Sequence, residues 1–140
     1  MNLFSKNERV SCFNIPPPSC FIRGMSDLKA TIERIRSFRD ARDWMQFHNP
    51  KNLACSIVIE AAELLELFQW KTAEESETLV QTRREAISQE LADVAVYVLE
   101  LADNLGIDLL EAIERKMALN EAKYPVEKAR GSAAKYTELE

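Results

Sequence analysis

Four carboxylates stand in two pairs: Glu60 with Glu63, and Glu90 with Asp93. An i, i+3 pair sets both acids about one turn apart on the same side of a helix. Two helices packed about 8–10 Å apart let two such pairs converge on shared ions. Oxygen ligands alone suit a hard divalent cation, Mg²⁺ first and Mn²⁺ second. A lone E-x-x-E is most often the solvated face of a surface helix, so the surroundings decide.

Those surroundings are unusual. From Leu53 to Phe68 every residue is apolar except Ser56, Glu60, Glu63 and Glu66, and from Leu91 to Ala102 only Asp93 and Glu100 break the apolar run. No Lys or Arg occurs between Asn52 and Trp70, or between Glu85 and Glu114. On helical wheels Ser56, Glu60 and Glu63 share an arc of roughly 60°, and Glu90, Asp93, Tyr97 and Glu100 one of roughly 80°. Two helices with such narrow acidic stripes should be largely buried, and buried carboxylates are costly unless a cation meets them. A divalent metal is one such cation; Arg34, Arg36, Arg39 or Lys116 from other helices would be another. Di-iron helical proteins use Glu-x-x-His pairs, whereas the single histidine here, His48, lies outside both acidic segments, which argues against iron.

Aromatic and basic residues could complete a site. Trp44, Phe47 and His48 precede the first acidic segment, and Phe68 and Trp70 follow it. Flat rings at helix ends can stack on a nucleobase, although plain packing serves Phe47 and Phe68 as well, and His48 alone reads as a helix-end hydrogen bonder. Lys116, Asn120 and Lys123 recur at i, i+4, i+7, followed by Tyr124. Cations and an amide on one face could hold phosphate oxygens, or simply complement a helix C-terminus.

The elements that must position these groups are all helical, since no β-alternation or repeat is present. Ser26 is a candidate N-cap for a first helix reaching about Phe47, where Asn49-Pro50 stops it. Asn49 caps a second helix with Pro50 at its first position, reaching roughly Trp70. Thr72-Ala-Glu-Glu75 forms a capping box opening a short helix to about Gln81. A third long helix spans approximately Arg83 to Asn104 and stops at Gly106, and Asp108 opens a fourth that ends at Tyr124-Pro125. The predicted architecture is an all-α four-helix bundle. Residues 1–25, with three of the five prolines and no helical periodicity, form a poorly ordered extension; residues 26–126 form the domain; residues 127–140 form an extended tail. Met25, next to the Ser26 cap, offers an alternative start.

Composition narrows the class. At 140 residues the chain has room for one domain, and 46% apolar with 29% charged residues is ordinary for a globular one. A formal charge of −5 provides no basic face for a nucleic-acid partner. No apolar run approaches the roughly 20 residues of a membrane span. Cys12, Cys20 and Cys55 contain no CxxC pair, and Pro16 to Pro18 interrupt anything resembling a signal peptide, so a reducing cytoplasm is the expected compartment.

Taken together, these motifs resemble the all-α nucleoside triphosphate pyrophosphatases, the MazG-like superfamily, whose signature is E-x-x-E followed after a spacer by E-x-x-D. Further segments are similar to the dCTP pyrophosphatase branch: D-W-x-Q-F-H at Asp43–His48, P-x-N-L at Pro50–Leu53, E-L-F-Q-W-K at Glu66–Lys71 and E-L-x-D-V at Glu90–Val94. K-M-x-x-N-x-x-x-Y-P at Lys116–Pro125 and K-Y-T-E-L at Lys135–Leu139 extend the likeness to about four fifths of the chain. One position departs: animal relatives carry a histidine about nine residues before the tryptophan, where this chain has Ile35.

The resemblance implies a MazG-like bundle assembling into a dimer or tetramer, and Mg²⁺-dependent hydrolysis of a deoxynucleoside triphosphate to monophosphate and diphosphate. It assigns Glu60, Glu63, Glu90 and Asp93 as metal ligands, with Glu63 as the general base. Trp44, Met45, Gln46, Phe47, His48, Trp70 and Tyr97 become substrate contacts, and Lys116, Asn120, Lys123 and Tyr124 the surroundings of the phosphates. Two alternatives stand beside dCTP: a broader enzyme clearing dATP, dUTP or damaged triphosphates, and a non-enzymatic helical module whose acids meet a partner's basic surface.

Overall fold

Local capping chemistry fixes most element boundaries in the computed structural model, which describes residues 28–139. The expected extension over residues 1–25, the Met25 start and the Ser26 cap lie outside the described residues. The first helix, α1, spans Leu28–Asp40. It stops earlier than the Asn49-Pro50 break predicts, because Asp43 adopts the left-handed region (φ 54°, ψ 36°), which no helix continues through. Aspartate tolerates that conformation better than most residues. A 3-10 turn over Trp44–Gln46 follows, and the Gln46 amide donates to both the Asp43 carbonyl and its carboxylate, each at 2.9 Å.

The second helix, α2, covers Pro50–Glu66 with Pro50 in its first turn and the Asn49 side chain accepting from the Asn52 N–H at 3.0 Å, as predicted. The Asn52 amide also donates to the Phe47 carbonyl at 2.8 Å, joining this turn to the helix. The short helix α3 covers Ala73–Thr82 behind the complete Thr72/Glu75 capping box. Next, α4 runs Arg84–Asn104 and ends in a Schellman motif: Gly106 at φ 65°, with Ile107 N–H bonded to the Ala102 carbonyl and Gly106 N–H to Asp103. Helix α5 spans Leu109–Lys123, capped by Asp108, which accepts from the Glu111 N–H at 3.0 Å. The Glu111 side chain pairs with Arg115 at 2.6 Å. The tail is more regular than expected: α6 covers Val126–Ala129, and a 3-10 turn covers Tyr136–Glu138.

The described residues are all-α, with no strand among them. The antiparallel pair α2–α4 is the principal packing, α1 and α3 each lie against α4, and α5 has no comparable seat. The expectation that the two acidic helices are largely buried is therefore not met within one chain. Leu53, Tyr97 and Ala102 are its buried apolar or aromatic residues, whereas Val58 is 67% exposed and Leu65 59%. One protomer has too few layers to cover helices that are apolar nearly all round. No helix among the described residues is long and apolar enough to cross a membrane.

Candidate active site

Packing α2 against α4 brings one acid of the first pair onto both acids of the second. Glu60, Glu90 and Asp93 each present an oxygen such that all three lie within 4.8 Å of one another. Glu63, one turn along α2, falls outside that set. Glu60 is 9% exposed, Glu90 is half-buried and Asp93 is open to solvent, so the cluster has a closed and an open side. Oxygens held about 2.1 Å from Mg²⁺ lie about 3–4 Å apart, so the observed spread closes on such an ion with little movement. Three mutually repelling carboxylates fit a divalent cation far better than a monovalent one.

Asp93 also lines the adjoining cleft of about 400 Å³, together with Trp44, His48 and Tyr97. Phe38 and Ile35 from α1 and Val96 from α4 supply apolar wall, and Arg34 sits on the rim. Trp44 meets Phe38 edge-on, ring centroids 5.8 Å apart, and the Arg42 guanidinium lies 3.6 Å over the Phe38 ring. Tyr97 is buried at the boundary between cleft and carboxylates. Burial and the nearby Glu60 charge push its hydroxyl up to about 12, against the hydrogen bond from Ser56, so it remains a neutral donor.

Behind the cleft runs a polar network that site prediction missed. Glu100 is 4% exposed; it accepts from the His48 Nδ1 at 2.6 Å and pairs with Arg39 at 3.6 Å. Arg39 in turn donates to Asn104 at 2.8 Å and Asp40 at 2.7 Å, and the Asn104 amide reaches the His48 carbonyl at 3.3 Å. Arginines of α1 thus meet acids of α4 at Glu100, through Arg39, and at Asp103, through Arg36. The signal for Glu100 was its place on the narrow stripe with Asp93 and Tyr97; nothing local marked Asn104.

Other predicted contacts lie elsewhere on the chain. Met45 and Phe47 are each 49% exposed and, like Gln46, do not line the cleft; Trp70, in the turn after α2, is 85% exposed. Lys116, Asn120, Lys123 and Tyr124 lie along α5, outside both the carboxylate cluster and the cleft lining. The end of α5 is tied to the C-terminal turn instead: Tyr124 meets Tyr136 edge-on at 6.0 Å, and the Lys123 Nζ lies 5.1 Å over the Tyr136 ring.

Known proteins resemble this chain. Residues 55–139 match the model of the MazG-like family. dCTP pyrophosphatase 1 of Bos taurus is 45% identical over 115 residues, covering 78% of this chain and 68% of its own. The protein of the same name from Homo sapiens is also 45% identical over 115 residues, with the same coverage. Among solved structures, a pyrophosphatase from Archaeoglobus fulgidus is similar with a TM-score of 0.68 and 45% identity, covering 70% of this chain and 92% of that one.

Proposed function

The chain belongs to the MazG-like family, and on that premise we propose that it is a nucleoside triphosphate diphosphatase that converts dCTP and water to dCMP and diphosphate, clearing that nucleotide from the pool. The observation that carries this reading is the convergence of Glu60, Glu90 and Asp93 beside an aromatic cleft to which Asp93 also belongs. One side chain shared by the two regions lets a single ligand place its phosphates on the carboxylates and its base in the cleft.

Glu60, Glu90 and Asp93 would hold Mg²⁺, with Mn²⁺ as a substitute, and Glu63 joins them as fourth ligand. An ion held there would supply charge neutralisation for the triphosphate and a lowered pKa for the attacking water. Glu63 takes that water's proton as its oxygen bonds to the α-phosphorus and the bond from the α-phosphorus to the bridging oxygen breaks, releasing diphosphate in line. Lys116 and Lys123 hold the departing oxygens, with Asn120 and Tyr124 as hydrogen-bond donors. Trp44 carries the base, aided by Trp70 and the Met45–Phe47 turn. The Tyr97 hydroxyl, neutral up to about 12, donates to a phosphate oxygen or to a carboxylate throughout the working pH range.

The helix bearing those lysines lacks a seat in one chain, and apolar side chains such as Val58, Leu65, Met117 and Leu119 are 49% exposed or more. A homodimer or homotetramer covers them and brings α5 of one copy toward the carboxylates of another. We place the enzyme in the cytoplasm, where Cys55, an exposed free thiol, stays reduced. Ile35 on the cleft wall offers no hydrogen bond to a base, and this favours a second reading, a broader enzyme acting also on dATP, dUTP or damaged triphosphates.

Diphosphate release from each of the eight common triphosphates, with Mg²⁺ and with chelator, separates these readings. Release from dCTP well above the rest supports the first, and comparable release from several supports the second. No metal-dependent release from any substrate leaves a helical interaction module.

A further inference from the structure

His48 lines the cleft with a buried ring nitrogen still to account for. Its side chain is 6% exposed; Nδ1 is committed to Glu100 at 2.6 Å, while Nε2 is buried and has no hydrogen-bond partner among the described residues. A buried polar atom without a partner is uncommon and calls for one. The other polar lining groups from α4 are occupied: Glu100 by His48 and Arg39, Tyr97 by Ser56, and Asp93 by the carboxylate cluster.

Resting on the nucleotide reading above, we propose that His48 is a specificity-determining residue of the cleft, its Nε2 accepting a hydrogen bond from the exocyclic amino group of the base. The network behind it sets the direction of that bond. Glu100, 4% exposed, sets one carboxylate oxygen 2.6 Å from Nδ1 and 3.6 Å from the Arg39 guanidinium, so Nδ1 faces an acceptor and carries the proton of the neutral ring. Nε2 of that tautomer is a lone pair, which matches an amino group and opposes the 4-keto oxygen of uracil or thymine. Asn104 binds both the His48 carbonyl and Arg39, so the ring's backbone and its counterion pair are located by the same residue. The Trp44 ring, 6.2 Å away and tilted 40°, is too near for a base to be sandwiched between the two rings, so a base in the cleft meets the imidazole by its edge.

Steady-state hydrolysis of dCTP, dUTP and dTTP by full-length protein tests this. His48→Phe keeps a ring and deletes the acceptor: dCTP loses roughly tenfold in kcat/KM, chiefly through KM, while dUTP and dTTP change by less than about twofold. An equal loss on all three makes His48 structural and overturns the proposal. Should that variant not fold, the wild-type ring carries the test. The tautomer is read directly from nitrogen chemical shifts, since the chain holds one histidine. A wild-type Nε2–H tautomer refutes the inference while leaving dCTP hydrolysis intact, whereas a wild type that hydrolyses no triphosphate refutes both readings.

Discussion

Glu60 on α2 and Asp93 on α4 reach across the principal helix pair to place their oxygens, with that of Glu90, within 4.8 Å of one another. Three carboxylates so close repel one another more strongly than isolated acids would.

Removing one of these charges should therefore separate stability from ligand binding. In metal-free buffer Glu60→Gln or Asp93→Asn melts at the same temperature as wild type or up to a few degrees higher, roughly 0.5–1 kcal/mol of relieved repulsion. Thermal unfolding followed by circular dichroism measures it; unfolding of either variant at room temperature would make the acids structural.

Acid should weaken the contact between α1 and α4. The bidentate Arg36 guanidinium, with its Nε 2.6 Å from Asp103, holds the Asp103 carboxyl below its ordinary value of 3.8. A depressed folded-state pKa stabilises above the unfolded value, and that contribution is lost as pH falls through the lower folded value. Wild type thus loses more stability than Asp103→Asn between pH 6 and about pH 3. Urea unfolding at both pH values checks the difference, and parallel losses would contradict it.

Gly106 tests the end of α4 in isolation. Its φ of 65° disfavours any side chain, while an added Cβ meets nothing within 4 Å. Gly106→Ala should cost about 1–2 kcal/mol through backbone strain alone, seen as a lower urea midpoint with unchanged m-value.

Assembly is predicted from the uncovered apolar surface. Val58→Glu or Leu65→Glu, at positions 67% and 59% exposed in the single chain, should shift light-scattering mass from oligomer to monomer and lower dCTP turnover at least tenfold. A wild type that is already monomeric and active would remove the second copy from the site.

Why some of this was legible beforehand and some was not follows from the range of the interactions. The caps at Asn49 and Thr72 and the stop at Gly106 rest on contacts within a few residues, and the structure keeps them where sequence placed them. The end of α1 differs from the expected one because the sequence offers no evident breaker before Asn49-Pro50, and only the left-handed turn at Asp43 interrupts the helix. Glu60, Glu90 and Asp93 meet because narrow stripes on two apolar helices have one way to face each other. Arg39, Glu100, His48 and Asn104 are brought together by tertiary packing of α1, its following turn and α4, which no local pattern encodes. Among the described residues α5 packs on no helix as closely as α2 does on α4, so its lysines carry a pattern without a place.

The most direct measurement is diphosphate release from dCTP across a Mg²⁺ titration, comparing wild type with Glu60→Gln. The account predicts turnover that rises from zero with Mg²⁺, is abolished by chelator, and falls at least on the order of a hundredfold in the variant while its helical signal is unchanged. Equal turnover by the two proteins, or turnover indifferent to the metal, would contradict it.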